Sequence, residues 1–161
     1  MIYTARAPVV MGDKLFFYYG GFDGLHDERT LRGAIGLAVL RADGFCSMSA
    51  GEGEGWLITR REPFREPVVT INGRTAKAGS ISAEMVDRHN RVLAGFSRED
   101  CVPFEGDSIA HTLRWKASRL PADPKAEDYK LRFWLKQAEL FSYLPSGLDP
   151  AQPDLARVPA K

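Results

Sequence analysis

One short stretch near the end of the chain carries residues suited to ligand chemistry. Arg132, Trp134 and Lys136 alternate with Leu131, Phe133 and Leu135. On a strand, that alternation puts the tryptophan and two cations on one face and the apolar set on the other. Sugar rings present flat C–H faces that stack on aromatic rings, and their hydroxyls pair with planar polar side chains. A tryptophan between two cations therefore suits either a sugar platform or a cation–π packing pair. Trp56 follows the glycine-rich stretch Gly51 to Gly55 and reads equally as an exposed ring or a core plug. Trp115 shares an apolar face with Leu113 and reads as core.

Other chemistry is weaker. Glycoside hydrolysis needs two carboxyls across a cleft, about 5–10 Å apart. The acids Asp13, Asp23, Asp27, Glu84, Asp87, Glu99, Asp100 and Asp107 fall mostly in turn-like segments, where Asp caps backbone and stays solvated. Gly106-Asp107-Ser108 spells a serine-esterase block but precedes a strand in an all-β pattern, so it reads as a turn. His26, His89 and His111 are scattered, and His111 falls on the apolar face of its strand. No catalytic residue is assigned. Cys46 and Cys101 show no CxxC or Cys/His spacing and read as two separate buried thiols, with a disulfide as the alternative. No metal ligand set is assigned. Structural calcium, common in sugar-binding jelly rolls, finds no dense Asp/Asn run here, and no cofactor is expected. With 22 basic and 21 acidic residues in 161, the balanced charge argues against nucleic-acid or anionic-membrane partners.

The elements that must position these residues are strands. Leu15 to Tyr19 and Ala34 to Leu40 are continuous apolar runs, which predicts strands covered on both faces. The loop from Phe22 to Gly33 is polar, and Asp43-Gly44 marks a turn. Shorter segments follow: Trp56 to Thr59, Pro67 to Ile71 closed by a tight turn at Asn72-Gly73, Ile81 to Met85, and Val92-Leu93 returning after a turn at Asp87 to Asn90. Ile109 to Lys116, Leu131 to Lys136 and Leu140 to Leu144 complete the set. Pro124 to Asp128 is the one stretch with helical character. The spacing predicts an all-β, two-sheet antiparallel β-sandwich, jelly-roll-like. The organisation expected is an N-terminal hairpin over residues 1–44, a sandwich over 45–144 and a disordered Pro- and Ala-rich tail over 145–161.

Two blocks carry a family resemblance. Gly12-Asp13-Lys14-Leu15, Tyr18-Tyr19-Gly20-Gly21, Ala34-Ile35-Gly36-Leu37-Ala38 and Asp43-Gly44-Phe45 resemble the closing strands of the five-bladed propellers of β-fructosidase-like glycoside hydrolases, family 32 and its relatives. From Phe45 to Tyr143 the chain resembles the C-terminal β-sandwich that follows such propellers. Gly55 to Arg60, Ala83 to Asp87, Gly95-Phe96-Ser97 and Leu131-Arg132-Phe133 are among the parts that match. The family's catalytic acids lie on earlier blades, so the resemblance implies no catalysis here. In a full propeller the loop after the first strand approaches the substrate cleft, so the resemblance makes His26 and Asp27 the remnant of an active-site rim, with a plain solvated loop as the other reading.

Trp134, Arg132, Lys136, Trp56, His26 and Asp27 are thus the ligand-binding candidates. The function expected is a non-catalytic carbohydrate-binding accessory module with a polysaccharide or oligosaccharide partner. An active glycoside hydrolase and a purely structural domain packed on a propeller are the alternatives. Half a propeller blade would expose apolar strands, so residues 1–44 are expected to join the sandwich or form a homodimer contact. Met1-Ile2-Tyr3-Thr4 reads as no signal peptide, and a secreted or periplasmic parent would carry its leader upstream.

Overall fold

The computed structural model describes residues 1–27, 30–120 and 128–146. The chain is all-β and carries two antiparallel sheets, as the alternation predicts. It divides into two compact units, Met1–Cys46 and Ser47–Lys161.

The first unit holds β1 (Ile2–Thr4), β2 (Val9–Met11), β3 (Lys14–Phe22) and β4 (Gly33–Arg41). β3 is central, with β1 and β2 along one edge and β4 along the other. Tyr18 faces Leu37 and Phe16 faces Val39 across the β3–β4 pair. The expected cover on both faces is not found among the described residues of this unit: Ile35 is 86% exposed, and Tyr18, Leu37 and Val39 are exposed too. Their continuous apolar character thus does not mark burial within the unit. Cys46, expected to be buried, is exposed at the end of this unit. It lies outside the β3–β4 ladder, past the turn at Asp43-Gly44.

The second unit is organised by two long strands. These are β8 (Val69–Val86) and β10 (Asp128–Pro145), paired antiparallel from Lys130–Val86 to Pro145–Val69 with two register shifts. The other edge of β10 takes β5 (Met48–Ala50), β6 (Gly55–Ile58) and β7 (Glu62–Pro63) in succession. The other edge of β8 takes β9 (Asp107–Leu113). The expected strands Leu131 to Lys136 and Leu140 to Leu144 are therefore one strand. Asn72-Gly73, expected as a tight turn, lies inside β8 opposite Ser142 and Leu140. The glycine is there for packing: a Cβ on Gly73 would sit 2.7 Å from Ile81 Cδ1 of the same strand.

That approach requires β8 to fold back on itself. β10 does the same, since the rings of Phe133 and Tyr143 are 5.5 Å apart although they stand ten positions apart in the strand. A straight strand would set them about 33 Å apart at about 3.3 Å per residue. The bend comes from a bulge. Between the pairs Lys136–Ser80 and Ala138–Thr75 the register shifts, Gln137 adopts φ 43°, and its N–H goes to Gly51 O at 2.8 Å. Gly79 lies against this point, where a Cβ would fall 2.3 Å from Gln137 O. One coiled sheet thereby supplies both layers over a shared core of Val69, Ile71, Ile81, Phe104, Leu131, Phe133 and Leu140. Burying a side chain such as Phe133 contributes about 1.5–3 kcal/mol.

The sequence order of the remaining features fits this frame. Asp87 to Asn90 is a turn as expected, with Asn90 at φ 63°. Val92 makes a single bridge to Val86 in place of a returning strand. Gly106-Asp107-Ser108 opens β9, with Gly106 N–H donating to Thr75 Oγ1 at 2.9 Å, so the block is a strand start. Of the segment Pro124 to Asp128 only Asp128 is described, and it begins β10. Of the expected tail, Pro145 pairs with Val69 and Ser146 N–H donates to Val68 O, so the strand runs further than the sequence predicts. Residues 147–161 lie outside the described residues.

Candidate functional site

The alternation around Trp134 is realised as read. Leu131, Phe133 and Leu135 are buried at 0–3% exposure, and Arg132, Trp134 and Lys136 take the opposite face. On one side Trp134 is directly paired with Trp56 of β6, on the other with Ser82 of β8. Arg132 lies between Ile58 and Glu84, and Lys136 opposite Ser80. Trp56 and Trp134, 78 positions apart in the sequence, become adjacent, with ring centroids 6.3 Å apart and planes tilted by 45°.

Two arginines complete the group. The Arg98 guanidinium stands over the Trp134 ring at 4.7 Å, and that of Arg132 stands 5.7 Å from the Trp56 centroid. Each arginine is held by a carboxylate. Arg98 Nη1 donates to Glu54 Oε1 at 2.8 Å, and Arg132 pairs with the buried Glu84. Arg98 is aimed by its segment: Ser97 caps the short 3-10 turn Arg98–Asp100 in a reciprocal capping box. The Glu54 carboxyl is held below its ordinary pKa, first by the hydrogen bond from Arg98, with the charges of Arg98 and Lys136 adding to it.

The order Arg98, Trp134, Trp56, Arg132 is thus a ladder of two adjacent rings with a guanidinium at each end. The two rings differ in access. Trp134 is half-buried beneath Arg98, and its Nε1 is buried without a hydrogen-bond partner among the described residues. Trp56 is 59% exposed. An exposed indole on a sheet face, backed by a fixed guanidinium and bordered by Lys136 and Ile58, can stack on a flat C–H face. Sequence reasoning did not single out Arg98 or Glu54. They lie 44 residues apart in chain order and carry no local signal of their meeting.

His26 and Asp27 are exposed in the loop between β3 and β4 of the first unit, a different body from that of Trp56. Trp115 is core, with Nε1–H donating to Ala83 O at 2.9 Å. His111 is half-buried with its ring 4.5 Å from Phe104. Burial, and then the charge of Arg114, push its pKa down. Cys101 is buried and free, and burial pushes its thiol up.

Several acids do structural work. Asp87 Oδ1 accepts from the N–H groups of His89 and Arg91, which with the Arg91 side chain holds its pKa at about 2. Asp100 caps Ser97 and pairs with Lys116. Asp23 Oδ1 accepts from Arg32 N–H. Glu54, Asp87, Glu99 and Asp100 are all displaced downward. A general acid needs the opposite displacement. Among the described residues no cluster of His, Cys, Asp and Glu is arranged to hold a metal ion.

No family model, no curated protein and no solved structure matches this chain. The resemblance to fructosidase-like propellers therefore rests on the motifs quoted above.

Proposed function

We propose that the chain is a non-catalytic carbohydrate-binding module, an accessory to a glycoside-hydrolase-like protein, that holds polysaccharide on the Trp56 face of its second sheet. The observation that carries this reading is the exposed Trp56 ring beside Trp134, held in a ladder with two guanidiniums. Stacking needs a rigid, accessible ring, and the paired strands and Arg132 fix this one before any ligand arrives. Arg98, Lys136 and Glu54 border the rings with charged, planar or flexible groups that can bond sugar hydroxyls.

Electrophoresis through gels loaded with soluble β-glucan, xylan or fructan tests the reading. Retardation in at least one gel that disappears in Trp56→Ala is the expected result. Unaltered mobility in every gel, or release of reducing sugar by the chain, contradicts it.

The cover of Arg98 over Trp134 favours a second reading, in which the ladder only stiffens the sheet and the domain is structural. Trp56→Ala would then lower Tm and leave gel mobility alone.

A further inference from the structure

Val69 and Leu113 are the last facing pair in that direction along β8 and β9. Beyond them the two chains part, because each is taken up by a different neighbour. Residues 66–68 are drawn to the end of β10: Ser146 N–H donates to Val68 O at 3.0 Å and Ser146 Oγ to Glu66 O at 2.6 Å. Residues 114–117 are drawn the other way, with Val102 N–H donating to Arg114 O at 2.8 Å and Lys116 N–H to Asp100 O at 3.0 Å. The backbone groups that would have continued the ladder are satisfied elsewhere, so the gap is held open by hydrogen bonds on both walls.

The gap is a cleft of about 750 Å³. That volume lies inside the range of about 300–1,000 Å³ usual for small-molecule sites. Arg65, Arg114 and Arg119 line it, with Glu66 as the one carboxylate among the described residues. Trp115 and Leu120 supply apolar wall. None of the three arginines joins an ion pair among the described residues, whereas Arg60, Arg74, Arg91, Arg98 and Arg132 each do. Guanidiniums that join no ion pair among the described residues, lining one concavity, focus a positive potential. Their planar fork matches a carboxylate through two parallel hydrogen bonds.

We propose that this cleft is a second binding site and that it takes the carboxylate of an acidic sugar, a uronate residue. The arginines dictate the anion. The choice of a sugar to carry it rests on the polysaccharide reading above.

Calorimetric titration of the full chain with a galacturonate trisaccharide, a neutral galactose trisaccharide and inorganic sulfate tests this. The galacturonate should bind, and should weaken by about tenfold in Arg114→Gln and in Arg119→Gln, as expected for loss of a charge-assisted fork. Added sodium chloride should weaken it further, and the neutral sugar should bind far less well. Both arginines are exposed at the surface, so the variants should keep the fold, which their melting curves verify. Trp56→Ala should leave the galacturonate affinity unchanged, which separates this site from the neutral-polysaccharide face. Equal affinity for the neutral sugar, or unchanged affinity in both arginine variants, overturns the proposal. Sulfate binding without galacturonate binding overturns the assignment of a sugar. Failure of the gels with neutral polysaccharide bears only on the Trp56 face.

Discussion

Phe133 and Tyr143 lie on one continuous strand, yet their rings meet at 5.5 Å. The contact is possible because β10 and its partner β8 bend together at Gln137 and Gly79, bringing the two halves of one sheet face to face. Phe133, fully buried, thereby belongs to both layers of the core.

The bend depends on the absence of a side chain at Gly79. Gly79→Ala would place a Cβ 2.3 Å from Gln137 O, against backbone that cannot swing away. We expect a loss of about 1–3 kcal/mol, the usual cost of overpacking. Urea unfolding of the variant against the parent measures it. An unchanged midpoint would mean that the bulge relaxes freely.

The stability of the second unit should fall on mild acidification. The fold depresses the His111 pKa from the ordinary 6.5, so the unfolded chain takes up the proton more readily. The contribution of the neutral ring is complete above pH 6.5 and is lost as the pH falls from there through the lower folded-state pKa. His111→Phe keeps an aromatic ring against Phe104 and removes the titrating group. Its unfolding free energy should vary less than the parent's between about pH 7 and pH 5.

The two cysteines should differ in reactivity. Cys46 is exposed, while Cys101 is buried with its Sγ accepting from Ala83 N–H at 3.4 Å and its pKa raised by burial. The thiolate is the reactive form. A disulfide-exchange reagent should label Cys46 in the folded protein and Cys101 only after denaturation. Rapid labelling of both in the native state would contradict the placement of Cys101.

Trp115→Phe should destabilise without touching the Trp56 face. The substitution removes the Nε1 donor from the Ala83 carbonyl in a buried setting. A cost of about 1–3 kcal/mol is expected for the acceptor left short. Thermal melting followed by near-ultraviolet dichroism would register both the loss and the altered core.

Much of this architecture is legible in the chain, and the exceptions have physical causes. Period-two alternation identifies Leu131, Phe133 and Leu135 as core and leaves Arg132, Trp134 and Lys136 outside, because a paired strand has no other way to divide its side chains. Asn72-Gly73 misleads because a glycine demanded by packing against Ile81 looks the same as one demanded by a turn. The union of Leu131 to Leu144 into one strand is hidden because Gln137, the bulge residue, carries no Gly or Pro to mark it. Exposure of Trp56 and cover of Trp134 depend on Arg98 arriving from a distant segment, and alternation holds no information on that. The open apolar face of β3 and β4 reads as buried because hydropathy reports what a surface prefers, not what the described residues of its unit place over it.

The account turns on Trp56 as the ring that meets a sugar. Each of the three tryptophans gives one indole N–H signal in a two-dimensional proton–nitrogen spectrum. On titration with an oligosaccharide cut from a polysaccharide that retards the chain, the Trp56 signal should move progressively while that of Trp115, bonded to Ala83 O, stays in place. A Trp56 signal that holds still at saturating sugar would contradict the account.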